Sequence, residues 1–269
     1  MKPYKLAPLC GALLLALVAC GCDRLKARDH LNKGVQAYRN AQFQPAVMHF
    51  KEAVRLDPNL LNARLYLATA YFAQYVPNGE SADNKQLAQD AINAFNDVLQ
   101  REPGNTTALS FIAQIHYGLK EFDKAKEDNE RLIKLEPNSP DPYYWIGMLD
   151  WLICFPRAQK VRNDHNIETP NKDGVLPVIP AKFRKGLAEE NGPLVDEGLK
   201  YLQKAIDLKP NYNEAMAYLN LMYRQKAEID EDDDTREADL KQADIWVNKS
   251  LAALKAAGAG SSGTPSGSQ

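Results

Sequence analysis

Histidine is scarce in this chain, and so are cysteine and net charge. Four histidines, His30, His49, His116 and His165, are dispersed over 269 residues. None stands four positions from another, and none pairs with a cysteine at metal-ligand spacing. A P-loop, a dinucleotide-binding glycine fingerprint and a nucleophile elbow are all missing. These gaps remove the common catalytic frameworks, so a non-enzymatic role with no cofactor and no metal is expected. The 33 basic and 35 acidic residues leave a net charge of -2, which gives no electrostatic footprint for nucleic acid. The acidic run Asp230 to Asp234 lacks the central glycine and the closing glutamate of a calcium loop. It reads as a solvated, self-repelling loop.

The amino-terminal stretch differs from the rest. Lys2 and Lys5 precede an apolar or small run from Leu6 to Ala19, too short to span a bilayer comfortably. That is the shape of a secretory signal peptide, residues 1–19. It ends in Leu17-Val18-Ala19-Cys20, which resembles a bacterial lipobox. The resemblance implies cleavage before Cys20 and a lipid on its thiol, with 20–27 as anchor and linker. An exported bacterial envelope protein, held on the periplasmic side of a membrane, is then expected. Ala19-Cys20-Gly21 also fits a plain cleaved signal, which would release the chain to the periplasm. Cys22 and Cys154 lack metal-ligand spacing. Either a disulfide in an oxidising compartment or a free, partly buried Cys154 is compatible with their positions.

Internal spacing carries the fold. Ala46, Phe50, Ala53 and Pro58 follow Gly34 at offsets of 12, 16, 19 and 24, and Ala125, Asn129, Leu132 and Pro137 follow Ala113 at the same offsets. Small residues let the two helices of a hairpin approach, a bulky one fills the gap, and proline ends the second helix. Four stops repeat the ending, at Pro58, Pro103, Pro137 and Pro210, each with asparagine following directly or after one glycine. The pattern resembles the tetratricopeptide repeat. The resemblance implies an all-α, right-handed solenoid of about five helical hairpins over 28–256. The expected repeats are 27–60, 61–105, 106–139, 140–212 and 213–256. Insertions fall between the first helix (A) and second helix (B) of repeats two, four and five: Val76 to Lys85, Ile153 to Pro193, and Ile229 to Glu237. The longest is expected to extend helix A and then run as a loop folding back over the concave face. Residues 257–269 are Gly/Ser-rich and read as a disordered tail.

In this family the A helices line a concave groove. Carried over residue by residue, the register places Tyr38, Phe72, Tyr117, Trp151 and Arg224 in one column of that groove. Tyr144 and Met148 fall in neighbouring columns. Two readings stand for the aromatics: a stacked ridge that anchors a protein or peptide partner, or rings that cover adjacent hairpins. Leu31 and Val35 occupy the positions where carboxylate-clamp members carry Lys and Asn, so that clamp is absent. No closing helix follows the last repeat. Trp246, Leu251 and Leu254 therefore either pack inward or support self-association through the C-terminal helix. The expected function is a protein-binding scaffold. The alternatives are a soluble periplasmic adaptor and an auxiliary subunit of an envelope enzyme or glycan-processing complex.

Overall fold

Proline and small residues set the element boundaries. A computed structural model describes residues 7–167 and 177–261, with side chains from 22 to 167 and from 177 to 256. Its described residues form ten helices and no strand. In order they are α1 (Ala7–Arg39), α2 (Phe43–Leu56), α3 (Leu61–Phe72), α4 (Ala82–Arg101) and α5 (Thr106–Gly118). They continue with α6 (Phe122–Leu135), α7 (Pro140–Asp164), α8 (Ala181–Leu208), α9 (Asn213–Ile229) and α10 (Asp233–Ser261). Helices α2, α4, α6 and α8 each end one or two residues before a proline stop, because proline lacks the N–H and restricts its predecessor. The five expected hairpins are these five helix pairs, and the architecture is all-α.

The chain divides within α6 into two compact units, Met1–Ala125 and Lys126–Gln269. In the first unit each of α1 to α4 packs on its successor, and α4 packs on α5; α3 also touches α1 and α5. Phe50, Ala46 and Ala53 are fully buried. A Cβ on Gly34 would lie 2.5 Å from the Phe50 ring, so only glycine admits the ring at this depth. Ala41 and Lys120 stand at the same offset in the turns of repeats one and three, and both adopt left-handed backbone (φ 56° and 61°). Arg64, 8 % exposed, donates to the Pro58 carbonyl at 2.8 Å and pairs with Asp97. It thereby ties the first stop to the second repeat.

In the second unit α7 packs on α8, α8 on α9, α9 on α10, and α7 on α9. Gly147 repeats the device of Gly34, since a Cβ there would meet Leu202 at 2.4 Å. The long insertion differs from expectation. Helix α7 runs to Asp164 and α8 starts at Ala181, so most of 153–193 is helical extension of both arms. Pro156 and Pro193 lie inside those helices. Beside them Asn191 donates to the Cys154 carbonyl at 3.1 Å and Arg157 to the Glu190 carbonyl at 3.1 Å. The two arms thus stay linked at the level where proline interrupts the backbone ladder.

Helix α1 is continuous through the expected divisions at 19/20 and 27/28, and Ala27 is already fully buried. Helix α10 runs to Ser261, past the expected start of the tail at 257, and residues 262–269 lie outside the described residues. The acidic run is short loop and helix start. Asp232 accepts from the Thr235 N–H at 2.8 Å and caps α10. Among the described residues no helix is long and apolar enough to cross a membrane.

Candidate binding surface

On α7, Tyr144, Trp151 and Phe155 are spaced by seven and four residues, which places them on one side of the helix. Their rings join with two from the α9 region into a continuous chain. Phe155 stacks on Trp151 at 4.8 Å, Trp151 meets Tyr218 edge-on at 5.6 Å, Tyr218 meets Tyr144 at 5.8 Å, and Tyr144 meets Tyr212 at 5.1 Å. Offset and edge-on contacts suit the ring quadrupoles. Burial varies along the chain of rings. Phe155 is 37 % exposed, Trp151, Tyr144 and Tyr218 are half-buried, and Tyr212 is buried. The Tyr212 hydroxyl donates to Asp141 at 2.9 Å, and burial together with that bond pushes its pKa up. The result is a ridge fixed at one end and open at the other.

The remaining expected groove residues behave differently. Met148 lies on the same side of α7, between Tyr144 and Trp151, but it is only 4 % exposed and belongs to the core. That corrects its assignment to the groove. Arg224 is exposed but engaged, donating to Asp244 at 2.8 Å and to Asn220 at 3.1 Å. In the first unit Tyr38 meets Phe43 edge-on at 5.4 Å, while Phe72 with Phe111 at 4.8 Å and Tyr117 with Phe122 at 6.3 Å are tilted pairs. These rings cover adjacent helices or the following turn. Tyr75, Phe72, Phe111 and Phe95 of the first unit also join ring to ring, but both ends of that run are buried, whereas the second-unit ridge ends at an exposed ring. The repeat register does not reveal Tyr218, because the position on α9 equivalent to Tyr144 is its neighbour Ala217. Cys20 lies among residues whose side chains are not described.

Beneath the ridge, α7 carries a buried acid that the repeat pattern did not reveal. Asp150 has no exposed surface and accepts from Lys126 Nζ at 2.5 Å. Lys126 also reaches Glu197 at 2.8 Å. Gly198 makes the space, since a Cβ there would lie 3.3 Å from the Asp150 Cβ. Burial pushes the Asp150 carboxyl up to about 7, with the Lys126 ammonium opposing the shift. One turn on, Cys154 is buried and free, and burial raises its thiol to about 12; such a thiol is inert. The only other free cysteine among the described residues, Cys22, is exposed. His30 and His49, distant in sequence, meet with Nδ1 atoms 3.2 Å apart. Separation along the chain had concealed this pair.

The described ends of the insertion sit at the tip of the α7/α8 hairpin. Arg162, 2 % exposed, donates through Nη2 to both Glu228 oxygens at 2.6 Å and through Nη1 to the Pro177 carbonyl at 2.7 Å. Ile179 is fully buried against Ala158 and Leu187, and the His165 ring stacks on Phe183 at 3.6 Å. Residues 168–176, the middle of the loop expected to cover the groove, lie outside the described residues.

Comparison with known proteins agrees with the geometry. A family model described as tetratricopeptide repeat matches residues 86–148. The interferon-induced protein with tetratricopeptide repeats 2 of Cricetulus griseus is 26% identical over 186 residues, 68% of this chain and 36% of that protein. The human mitochondrial import receptor subunit TOM70 is 26% identical over 132 residues, 49% of this chain and 21% of that protein. The chain thus spans little more than a third of the first of these relatives and about a fifth of the second. Among solved structures, MamA superposes with a TM-score of 0.55 at 16% identity, covering 84% of this chain and 96% of that one. MamA 41-end from Desulfovibrio magneticus RS-1 gives 0.54 at 18% identity, covering 86% and 96%. At these identities the likeness is one of fold. With small-residue and proline registers in place, helices in adjacent pairs, and the tetratricopeptide repeat model matching residues 86–148, this chain has the helical-hairpin fold of tetratricopeptide repeat proteins.

Proposed function

We propose that this chain is a non-catalytic scaffold of the bacterial cell envelope that binds a peptide or protein on the α7/α9 aromatic ridge. The observation that carries the reading is the run Phe155–Trp151–Tyr218–Tyr144, held in place by ring contacts yet open to solvent at Phe155. Rigid aromatics lose little entropy when a partner covers them, and they supply large contact areas. A pre-formed helical scaffold adds to this by lowering the cost of ordering on binding. One relative is named as an import receptor subunit, which fits a fold that works by contact with other proteins.

The envelope assignment rests on the sequence alone. The basic start, the short apolar run and Leu17-Val18-Ala19-Cys20 support a lipoprotein anchored through Cys20 on the periplasmic side. Intact mass and membrane fractionation of the natively expressed chain test it, beside a Cys20→Ala variant. The expected result is a mature chain that begins at Cys20, carries lipid mass and leaves the membrane in the variant. An unlipidated mature chain in the soluble fraction would replace the anchor with a free periplasmic adaptor.

A further inference from the structure

We propose that α10 is a self-association helix, pairing antiparallel with α10 of a second copy across a two-fold axis beside Val247. One face of α10 is already used. Ala243 and Ser250 are buried, Trp246 and Ala253 pack on the core with α9, and the Ser250 hydroxyl donates to the Asn213 carbonyl at 2.9 Å. A second apolar stripe lies beside that face. Leu240, Val247, Leu251 and Leu254 follow one another at spacings of seven, four and three residues. That is the spacing of a coiled-coil seam, with Asp244 as its one polar member. Leu251 is 50 % and Leu254 56 % exposed, while Leu240 and Val247 are half-buried. An apolar stripe of this regularity on the last helix of a repeat array is the place where a further helix would sit.

Charge selects the occupant and its direction. Residues 233–244 expose four acidic residues (Asp233, Asp234, Glu237, Asp244) against two basic ones, Arg236 and Lys241, while Asp239 is buried on Lys226 of α9. Residues 245–256 hold Lys249 and Lys255 and no acid. A parallel pair would set like charges together; an antiparallel pair sets each half against its complement. The register is specific. Glu237 and Lys255 are 18 residues apart, five full turns, so both project along the same flank of the stripe. A two-fold beside Val247 brings Leu240 against the partner's Leu254, and the same operation brings Glu237 near the partner's Lys255. Apolar and charged pairings thus agree on the axis to within one residue, as a self-complementary interface requires. In the single chain Glu237 pairs with Lys241 at 2.8 Å, both well exposed; such a pair contributes little and is readily exchanged. The seam from Leu240 to Leu254 is about 21 Å long at 1.5 Å per residue, a short interface for which a weak, concentration-dependent dimer is expected.

Sedimentation equilibrium of the full chain in mild detergent, up to about 200 µM, tests the pairing. A concentration-dependent dimer is expected. Leu251→Glu/Leu254→Glu should be monomeric throughout with unchanged helical circular dichroism. Lys255→Glu alone should weaken association about tenfold, and Glu237→Lys/Lys255→Glu should restore most of it. A monomeric wild-type chain at all concentrations overturns the proposal, as does dimerisation that survives the double leucine substitution. Failure of the charge exchange to restore binding overturns the antiparallel register.

Discussion

Gly34 and Phe50 define what a single residue decides in this fold. A Cβ at Gly34 meets the ring at 2.5 Å, and the ring itself is fully buried. Gly34→Ala should therefore cost about 1–3 kcal/mol through overpacking. In a Phe50→Leu background the same change should cost less, because the smaller side chain yields. Urea denaturation of the four chains in that cycle measures the coupling; equal penalties in both backgrounds would show that the contact does not set the requirement for glycine.

Asp150 gives a residue-scale prediction with a sign. Its carboxyl is raised in the folded chain to about 7 and is ordinary when unfolded. Between about pH 4 and 7 the folded state therefore holds the proton that the unfolded state releases, and this group's contribution to stability falls as pH rises. Asp150→Asn should flatten that dependence. Lys126→Met leaves the buried carboxylate without its ammonium, beside Glu197 and Glu130. The loss should approach about 3–5 kcal/mol above pH 7 and be clearly smaller at pH 5, where the acid is neutral. Thermal unfolding of both variants across pH 4–8 checks this, and a Lys126→Met penalty independent of pH would remove the carboxylate from the explanation.

At the scale of elements, Arg162 joins three pieces of backbone: α7, the carbonyl of Pro177 and, through Glu228, α9. Arg162→Met should leave the helices folded but release the insertion. Faster proteolysis between 165 and 180 at unchanged helicity is the expected outcome, and unaltered protection would mean that Ile179 and the His165–Phe183 stack hold the loop unaided. The helices themselves were legible in the sequence because offsets from Gly34 and the proline stops are local signals, read without knowing the fold. The insertion was not. Pro156 and Pro193 argue for breaks, yet α7 and α8 continue through them while packed on each other, with Asn191 and Arg157 bonding across to carbonyls of the facing helix. Tertiary contact overrode local propensity there.

The candidate surface was legible to a lesser degree, and for the same reason. Register alone picked out Tyr144 and Trp151, which do belong to the ridge. It also picked Met148, which shares that side of α7 but is buried, and passed over Tyr218. A repeat register fixes the direction of a Cβ, whereas exposure depends on how far neighbouring rings extend. Asp150 and Lys126 left no trace in the pattern, since a buried ion pair resembles two surface charges until the fold brings them together.

At the scale of the molecule, each unit carries its own core and helical pairs. The extended ridge lies in the second unit, while Tyr38, Phe72 and Tyr117 in the first unit are spent on local packing. Partner binding should therefore depend on Trp151 and Tyr218 far more than on Tyr38 or Tyr117. Whether the α7/α9 ridge is a peptide- or protein-binding surface is tested by selection from a random peptide library on the purified chain, with Trp151→Ala/Tyr218→Ala as the comparison. The expected result is enriched peptides with micromolar affinity that lose at least about tenfold in the variant while helicity is retained. Peptides that bind both chains equally well, or no enrichment at all, would contradict it.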